Sequence, residues 1–138
     1  MVYLTQRRAF VLSATLTLAL GLIIAFLTLT PISGPNVPGS DKLYHTLACA
    51  ALAFPLPFAR SKLMIPVIVF VILYGGMIEL IQPHVGRSGE WKDLFADAAG
   101  AILGAGLGAF LGNRIVQYGG RQQHDPIKNT SESKRARE

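Results

Sequence analysis

Four long apolar segments constrain what this chain can fold into. They cover residues 10–30, 43–58, 63–82 and 94–111. A helix that rises about 1.5 Å per residue needs about 17 to 25 residues to cross a bilayer. The first and third segments have this length, and the other two reach roughly 27 to 29 Å if they begin at Asp41 and Asp93. The sequence therefore predicts an all-α, four-helix transmembrane bundle.

Composition agrees with a membrane protein. Hydrophobic residues make up 51% of the chain and charged residues 15%, whereas a soluble domain has about 25% charged residues. The first segment is preceded by Arg7 and Arg8, as a signal peptide would be. Its roughly 20 apolar residues exceed the 7 to 15 of a signal peptide, and no A-x-A-like cleavage site follows. We therefore expect a retained helix, with the lipid bilayer as its partner.

Positive charge predicts the orientation of the bundle, because cytoplasmic loops carry an excess of Lys and Arg. Ten of the thirteen Lys and Arg residues precede the first segment, separate the second from the third, or follow the fourth: Arg7, Arg8, Arg60, Lys62, Arg114, Arg121, Lys128, Lys134, Arg135 and Arg137. Both termini are therefore predicted to be cytoplasmic.

The domain organisation follows from the same pattern. Residues 1–112 are predicted to form one membrane domain with four spans. Residues 113–138 are polar and basic and lack an apolar period, so they are predicted to be a disordered cytoplasmic tail. Aromatic residues are not interleaved with the basic ones, and membrane topology accounts for the positive charge. Nucleic acid is therefore not a predicted partner.

Polar side chains mark the extracytoplasmic ends of the last three segments. An outer rim consists of Asp41, Gln82 and Asp93. One helical turn further in, three or four residues from a rim residue and on the same helix face, lie His45, Glu79 and Asp97. Charges at membrane depth are costly to keep, so a cluster of them is a functional-site hypothesis by default. The sequence predicts a two-layer polar site.

Small residues predict that this site faces the interior of the bundle. In the fourth segment every fourth residue is glycine, a pattern that lets another helix approach closely; the residues are Gly100, Gly104, Gly108 and Gly112. Asp97 lies about one turn before this stripe. In the third segment, Gly75 and Gly76 precede Glu79 by one turn. We expect a packed interface within the chain, and a homodimer through the glycine stripe is the alternative.

The residue types are compatible with two classes of function. The first is an enzyme or binding site that acts on a cell-envelope molecule, such as a lipid-linked glycan, a peptidoglycan precursor or a phospholipid. Its candidate acid and base groups or metal ligands are Glu79, Asp97, His45 and Asp93. Its candidate binding groups are Arg87, Lys42, Asp41 and Gln82. The sequence does not specify a metal or a cofactor.

The second class is non-enzymatic. In an assembly or accessory protein, the same buried charges would only lock the register of the helices. An ion or proton conduit is disfavoured, because it needs polar groups through the whole membrane, and the cytoplasmic halves of the last three segments are apolar or contain Gly and Pro. Cys49 is interpreted as a small buried apolar residue.

Residues 38–112 resemble the VanZ-like family of small bacterial membrane proteins. The resemblance depends on motifs in a fixed order: Asp41-Lys42-x-x-His45, Glu79-x-x-Gln82, Arg87, and Asp93-Leu94-x-Ala96-Asp97-x-x-Gly100-Ala101-x-x-Gly104. One departure is Asp97, which is often Asn in that family. The resemblance implies a multi-pass protein of the bacterial cytoplasmic membrane, and some members are associated with tolerance to glycopeptide antibiotics such as teicoplanin.

Overall fold

The computed structural model describes residues 2–30, 40–86 and 91–122, and within these ranges it contains helices and no β-strand. The α-helices are α1 (Val2–Leu29), α2 (Ser40–Ala53), α3 (Pro55–Ala59), α4 (Met64–Ile81) and α5 (Trp91–Gln122). Short 3₁₀ turns cover Ser61–Leu63 and Gln82–Val85. The predicted all-α helical bundle is confirmed.

Three helical stretches of the described chain have the length and the apolar composition to cross a membrane. They are Gln6–Leu29, Ser61–Val85 and Lys92–Ile115. The second apolar segment differs, since α2 has 14 residues and spans only about 21 Å at 1.5 Å per residue. A span over this segment stays a prediction.

Proline explains why the second segment is not one regular helix. Pro55 has no N–H to donate to the preceding turn, so the hydrogen-bond ladder is interrupted after Ala53. Phe54 nevertheless keeps helical backbone angles, with φ −72° and ψ −47°. The short helix α3 therefore follows α2, and together they cover residues 40–59, about 30 Å at 1.5 Å per residue.

The glycine stripe of α5 packs against the backbone of α2 and α3. A Cβ atom on each glycine would meet a carbonyl oxygen; in order along the stripe, these oxygens belong to Thr46, Ala50, Phe54 and Phe58. Only glycine allows the two backbones to approach this closely. The predicted packing within the chain is confirmed, and nothing supports a homodimer through the same stripe.

The hydrophobic core lies between α2, α4 and α5. Leu52, Val71 and Ala105 are among its most completely buried side chains. The first helix packs on the outside of this core and leaves large apolar side chains exposed, for example Leu12 and Phe26. An exposed apolar surface on a helix of this length is compatible with contact to a lipid bilayer.

Basic residues gather at one end of the bundle. The Arg60 guanidinium lies over the Phe10 ring, 4.5 Å from its centroid, so the α3–α4 connection and the first half of α1 share an end. Gly112 packs against Phe58 there, which brings Arg114 to the same end. His45 and Asp97, near the beginnings of α2 and α5, lie toward the opposite end. The predicted orientation likewise requires the basic residues and the polar site to lie at opposite ends of the bundle.

The predicted boundary between membrane domain and tail, after residue 112, stays a prediction, but the tail is not wholly irregular. The last helix continues to Gln122, so the first part of the predicted tail is helical. No proline interrupts residues 113–122, and the first strong helix-weakening signal is the pair Gly119 and Gly120 near its end. Residues 123–138, the rest of the predicted tail, lie outside the described residues.

Candidate functional site

A histidine–carboxylate contact joins α2 to α5. Nδ1 of His45 lies 3.1 Å from Oδ1 of Asp97. The His45 side chain is 11% exposed and that of Asp97 is 3% exposed, so water is largely excluded from the contact. His45 is in the second turn of α2, and Asp97 is one turn before the glycine stripe that holds α5 against α2. The close helix packing therefore brings the two side chains together.

Cys49 contacts the same carboxylate. Its thiol donates a hydrogen bond to Oδ1 of Asp97 at 3.2 Å, and the side chain is buried. The interpretation of Cys49 as a small buried residue is correct for its burial but missed this polar contact. The signal was available, because His45 and Cys49 are four residues apart and therefore share a helix face.

Helix α4 approaches Asp97 at a glycine. A Cβ atom at Gly75 would overlap sterically with Oδ2 of Asp97. Three neighbours therefore contact the buried carboxylate of Asp97: the imidazole of His45, the thiol of Cys49 and the bare backbone of Gly75. The contacts fix both the rotamer of Asp97 and the relative position of three helices.

A second group of side chains shares His45. His45, Glu79 and Asp93 each offer one nitrogen or oxygen atom, and these three atoms lie within 4.8 Å of one another. Glu79 is 9% exposed and Asp93 is 3% exposed. Each of the three residues comes from a different helix, α2, α4 and α5. A nitrogen and two carboxylate oxygens at this spacing suit acid–base chemistry or cation binding.

The structure differs from the predicted two layers at Asp93. Asp93 was placed in the outer rim, yet it is buried and lies with His45 and Glu79 of the inner layer. The spacing of four residues between Asp93 and Asp97 gives a common helix face. It does not say how α5 packs against α2, and in the structure both carboxylates approach His45.

The structure describes the side chains of only two of the four predicted binding residues. Gln82 is 3% exposed and lies in the 3₁₀ turn after α4, whereas Lys42 is exposed on α2. Asp41 lies in α2, but its side chain falls outside the described residues, as does Arg87.

A cavity of about 820 Å³ reaches His45, Cys49 and Asp97. It lies between α1, α2 and α4, and most of its walls are apolar: Ile24, Leu27, Leu47, Ala48 and Ile78. Tyr44 and Leu47 also line it and are more than half exposed. The cavity is therefore open to the apolar surface of the bundle, and its polar wall includes His45, Cys49 and Asp97.

Cys49 is not arranged as a nucleophile. Reactive thiolates occur in electropositive, partly exposed environments, whereas this thiol is buried and donates to a carboxylate. The described cluster is therefore suited to proton transfer, hydrogen bonding or cation binding rather than to covalent catalysis by cysteine.

A comparison with protein families gives a match over most of the chain. The family described as VanZ/LLP1 matches residues 2–112, which run from the beginning of α1 to the last glycine of the stripe. The matched region contains all of the clustered side chains. No significantly similar curated protein or solved structure was found.

Proposed function

We propose that this chain, which belongs to the VanZ/LLP1 family, binds or acts on an amphiphilic molecule of the cell envelope. The site is the polar cluster, which consists of His45, Glu79, Asp93 and Asp97. The molecule is lipid-linked or related to peptidoglycan. Its apolar chain occupies the cavity between α1, α2 and α4, and its polar head group reaches His45, which borders the cavity and lies close to Glu79 and Asp93. The protein is a multi-pass protein of the bacterial cytoplasmic membrane.

The observation that carries this proposal is the cavity that reaches the cluster. Its volume of about 820 Å³ is in the range of small-molecule sites, about 300 to 1,000 Å³. Apolar walls on one side and His45 with Asp97 on the other match a ligand that has an apolar chain and a polar head. Exposed Tyr44 and Leu47 at its edge would let such a molecule enter sideways from the bilayer.

The proposed site faces the extracytoplasmic side. This orientation is supported by Arg60 and Arg114, which lie at the end of the bundle away from His45, because positive charge favours the cytoplasmic side. Envelope precursors are presented to the outer leaflet, so a site at that depth would meet their head groups.

Roles for the polar residues follow from their chemistry. His45, held by Asp97, is placed to accept or donate a proton, while Glu79 and Asp93 contact the head group directly or through a cation. Lys42 and Arg87 are proposed to hold phosphate or carboxylate groups, since ammonium and guanidinium groups donate charge-assisted hydrogen bonds to such anions. Asp41 and Gln82 would add hydrogen bonds.

Photocrosslinking tests this proposal. A benzophenone amino acid is introduced in place of Leu47, which lines the cavity and is 57% exposed, or in place of Phe95, which is 78% exposed and lies near the same end of α5. After irradiation of native membranes, mass spectrometry identifies the attached lipids. We expect a lipid-linked envelope molecule at position 47 and only bulk phospholipid at position 95. The same lipids at both positions would contradict the proposal.

A second candidate function is supported by the contacts of Asp97. His45, Cys49 and Gly75 meet this one carboxylate, an arrangement that would lock helix register in a non-enzymatic accessory protein. Glu79→Gln separates the two candidates. The envelope-binding proposal predicts loss of an envelope phenotype at normal protein levels, and the accessory-protein proposal predicts that any loss follows the amount of protein in the membrane.

A further inference from the structure

We infer that His45, Glu79 and Asp93 form a binding site for a divalent cation of the Zn²⁺ class. This inference goes beyond the proposed function, because it concerns an inorganic ion and holds whether or not an envelope molecule binds. The three side chains come from α2, α4 and α5, and they present one ligand atom each within 4.8 Å of the others. Ligands from three separate helices are brought together by the fold rather than by local sequence.

The spacing of the ligand atoms is close to what a bound ion requires. Two ligands that each bind Zn²⁺ at about 2.0 to 2.2 Å lie at most about 4.4 Å apart. A separation of up to 4.8 Å therefore needs only small side-chain rotations to close around an ion. Three protein ligands leave a fourth position for water or a substrate oxygen, as in catalytic zinc sites.

Burial and charge favour a cation at this position. Asp93 and Glu79 are 3% and 9% exposed, and Asp97, which contacts the same histidine, is also buried. Buried charges are usually paired or coordinate metals. A divalent ion held by Glu79 and Asp93 would be one such partner for their carboxylates.

Asp97 is the positioning residue of the proposed site. A neutral imidazole that donates from Nδ1 to Asp97 keeps its lone pair on Nε2, and the proposed site uses that lone pair to bind the cation. Histidine ligands of metals almost always donate their other N–H to a carboxylate or carbonyl in this way, which fixes the ring and increases its basicity. The thiol of Cys49 and the space at Gly75 in turn hold Asp97 in place.

The ligand set indicates which class of ion fits. Mg²⁺ and Ca²⁺ prefer oxygen ligands alone, whereas imidazole nitrogen suits Zn²⁺ and neighbouring transition metals. One nitrogen with two carboxylate oxygens therefore favours Zn²⁺ over Mg²⁺.

Metal binding to the purified full chain tests this inference without any lipid ligand, so its failure is distinguishable from failure of the proposed function. The protein in detergent is treated with EDTA, passed through a desalting column and titrated with ZnCl₂ by equilibrium dialysis. CoCl₂ gives a visible absorption band that reports the ligand geometry. We expect one equivalent of Zn²⁺ per chain, at least 100-fold tighter than Mg²⁺, and a Co²⁺ band of a site with four or five ligands.

Three variants complete the experiment. His45→Gln is expected to weaken Zn²⁺ binding at least 100-fold and to abolish the Co²⁺ band. Asp97→Asn, which keeps the ligands, is expected to weaken binding about 10- to 100-fold and to shift the band. His84→Gln is the control, because His84 is exposed and contacts only the Leu80 carbonyl among the described hydrogen bonds, and it should bind as the wild type does. Circular dichroism checks that each variant keeps its helix content.

Two results would overturn the inference. One is a wild-type protein that binds no Zn²⁺ at micromolar concentrations. The other is unchanged Zn²⁺ affinity and an unchanged Co²⁺ band in folded His45→Gln, which would assign binding to His84 or His124 instead.

Discussion

The carboxylate of Asp97 on α5 fills the space that any side chain at Gly75 on α4 would need. This fit makes α4 and α5 interdependent at the depth of the polar cluster. It also means that a single methyl group at position 75 must move the residue that holds His45.

Gly75→Ala is therefore expected to destabilise the protein and to displace Asp97. Overpacking of a close contact costs about 1 to 3 kcal/mol. Gly76→Ala is the matched control, since its Cβ atom would lie 3.7 Å from Cδ1 of Leu94, an ordinary contact. That variant should be unchanged or up to about 1 kcal/mol more stable, because alanine favours helix over glycine. Reversible unfolding in mixed detergent micelles measures both, and equal stability of the two variants would contradict the described packing.

The glycine stripe gives a second pair of variants. A Cβ atom at Gly104 would meet the carbonyl oxygen of Ala50, whereas at Gly106 it would meet nothing within 4 Å. Gly104→Ala should separate α5 from α2 and lower the midpoint of thermal unfolding, and Gly106→Ala should leave it unchanged or slightly raised. If Gly104→Ala unfolds like Gly106→Ala, α5 does not pack on α2 through this face.

A hydroxyl group connects the outer helix to the core. The Tyr74 hydroxyl donates to the Gly21 carbonyl oxygen, at a place where α1 is otherwise little buried. Tyr74→Phe removes this bond, whose loss typically costs about 0.5 to 1.5 kcal/mol. We expect faster hydrogen exchange in α1 with little change in α5. Tyr44→Phe, at a tyrosine that is 67% exposed, should not alter exchange, and equal effects of the two variants would argue against this tether.

The proposed orientation predicts which residues an impermeant reagent reaches. In a Cys49→Ala background, a thiol at Tyr44→Cys should react with an impermeant maleimide added to intact cells. A thiol at Arg60→Cys should react only after the inner face is opened, because Arg60 lies near the basic end of the bundle. Labelling of position 60 in intact cells would reverse the proposed orientation and place the polar cluster at the cytoplasmic face.

Several parts of this structure could be predicted from the sequence because they depend on spacing along one helix. The apolar segments predicted the long helices, and the glycines at every fourth position predicted the face of α5 that packs on α2. Residues His45 and Glu79 were placed on inward faces for the same reason. Spacing within a helix fixes face and depth.

Other parts depend on how helices are rotated and tilted against each other, and periodicity does not specify these. Asp93 was therefore placed in a separate outer layer although it lies with His45 and Glu79. The fit of Asp97 at Gly75 could not be predicted either. The hydrogen bond from Cys49 was missed although Cys49 shares a helix face with His45. The extension of α5 to Gln122 was missed because polar composition was interpreted as loss of structure, whereas helix propensity does not require apolar residues.

The most direct test of the account is whether α2 and α5 bring positions 45 and 97 together in the native membrane. In a Cys49→Ala background, the pair His45→Cys and Asp97→Cys is treated with a short bifunctional methanethiosulfonate, and intact-protein mass spectrometry counts linked chains. The control pair is His45→Cys and Phe95→Cys, because Phe95 is 78% exposed and points away from the cluster. We predict an intramolecular crosslink in the first pair and none in the control. Equal crosslinking in both pairs, or none in the first, would contradict the convergence of these helices on one polar site.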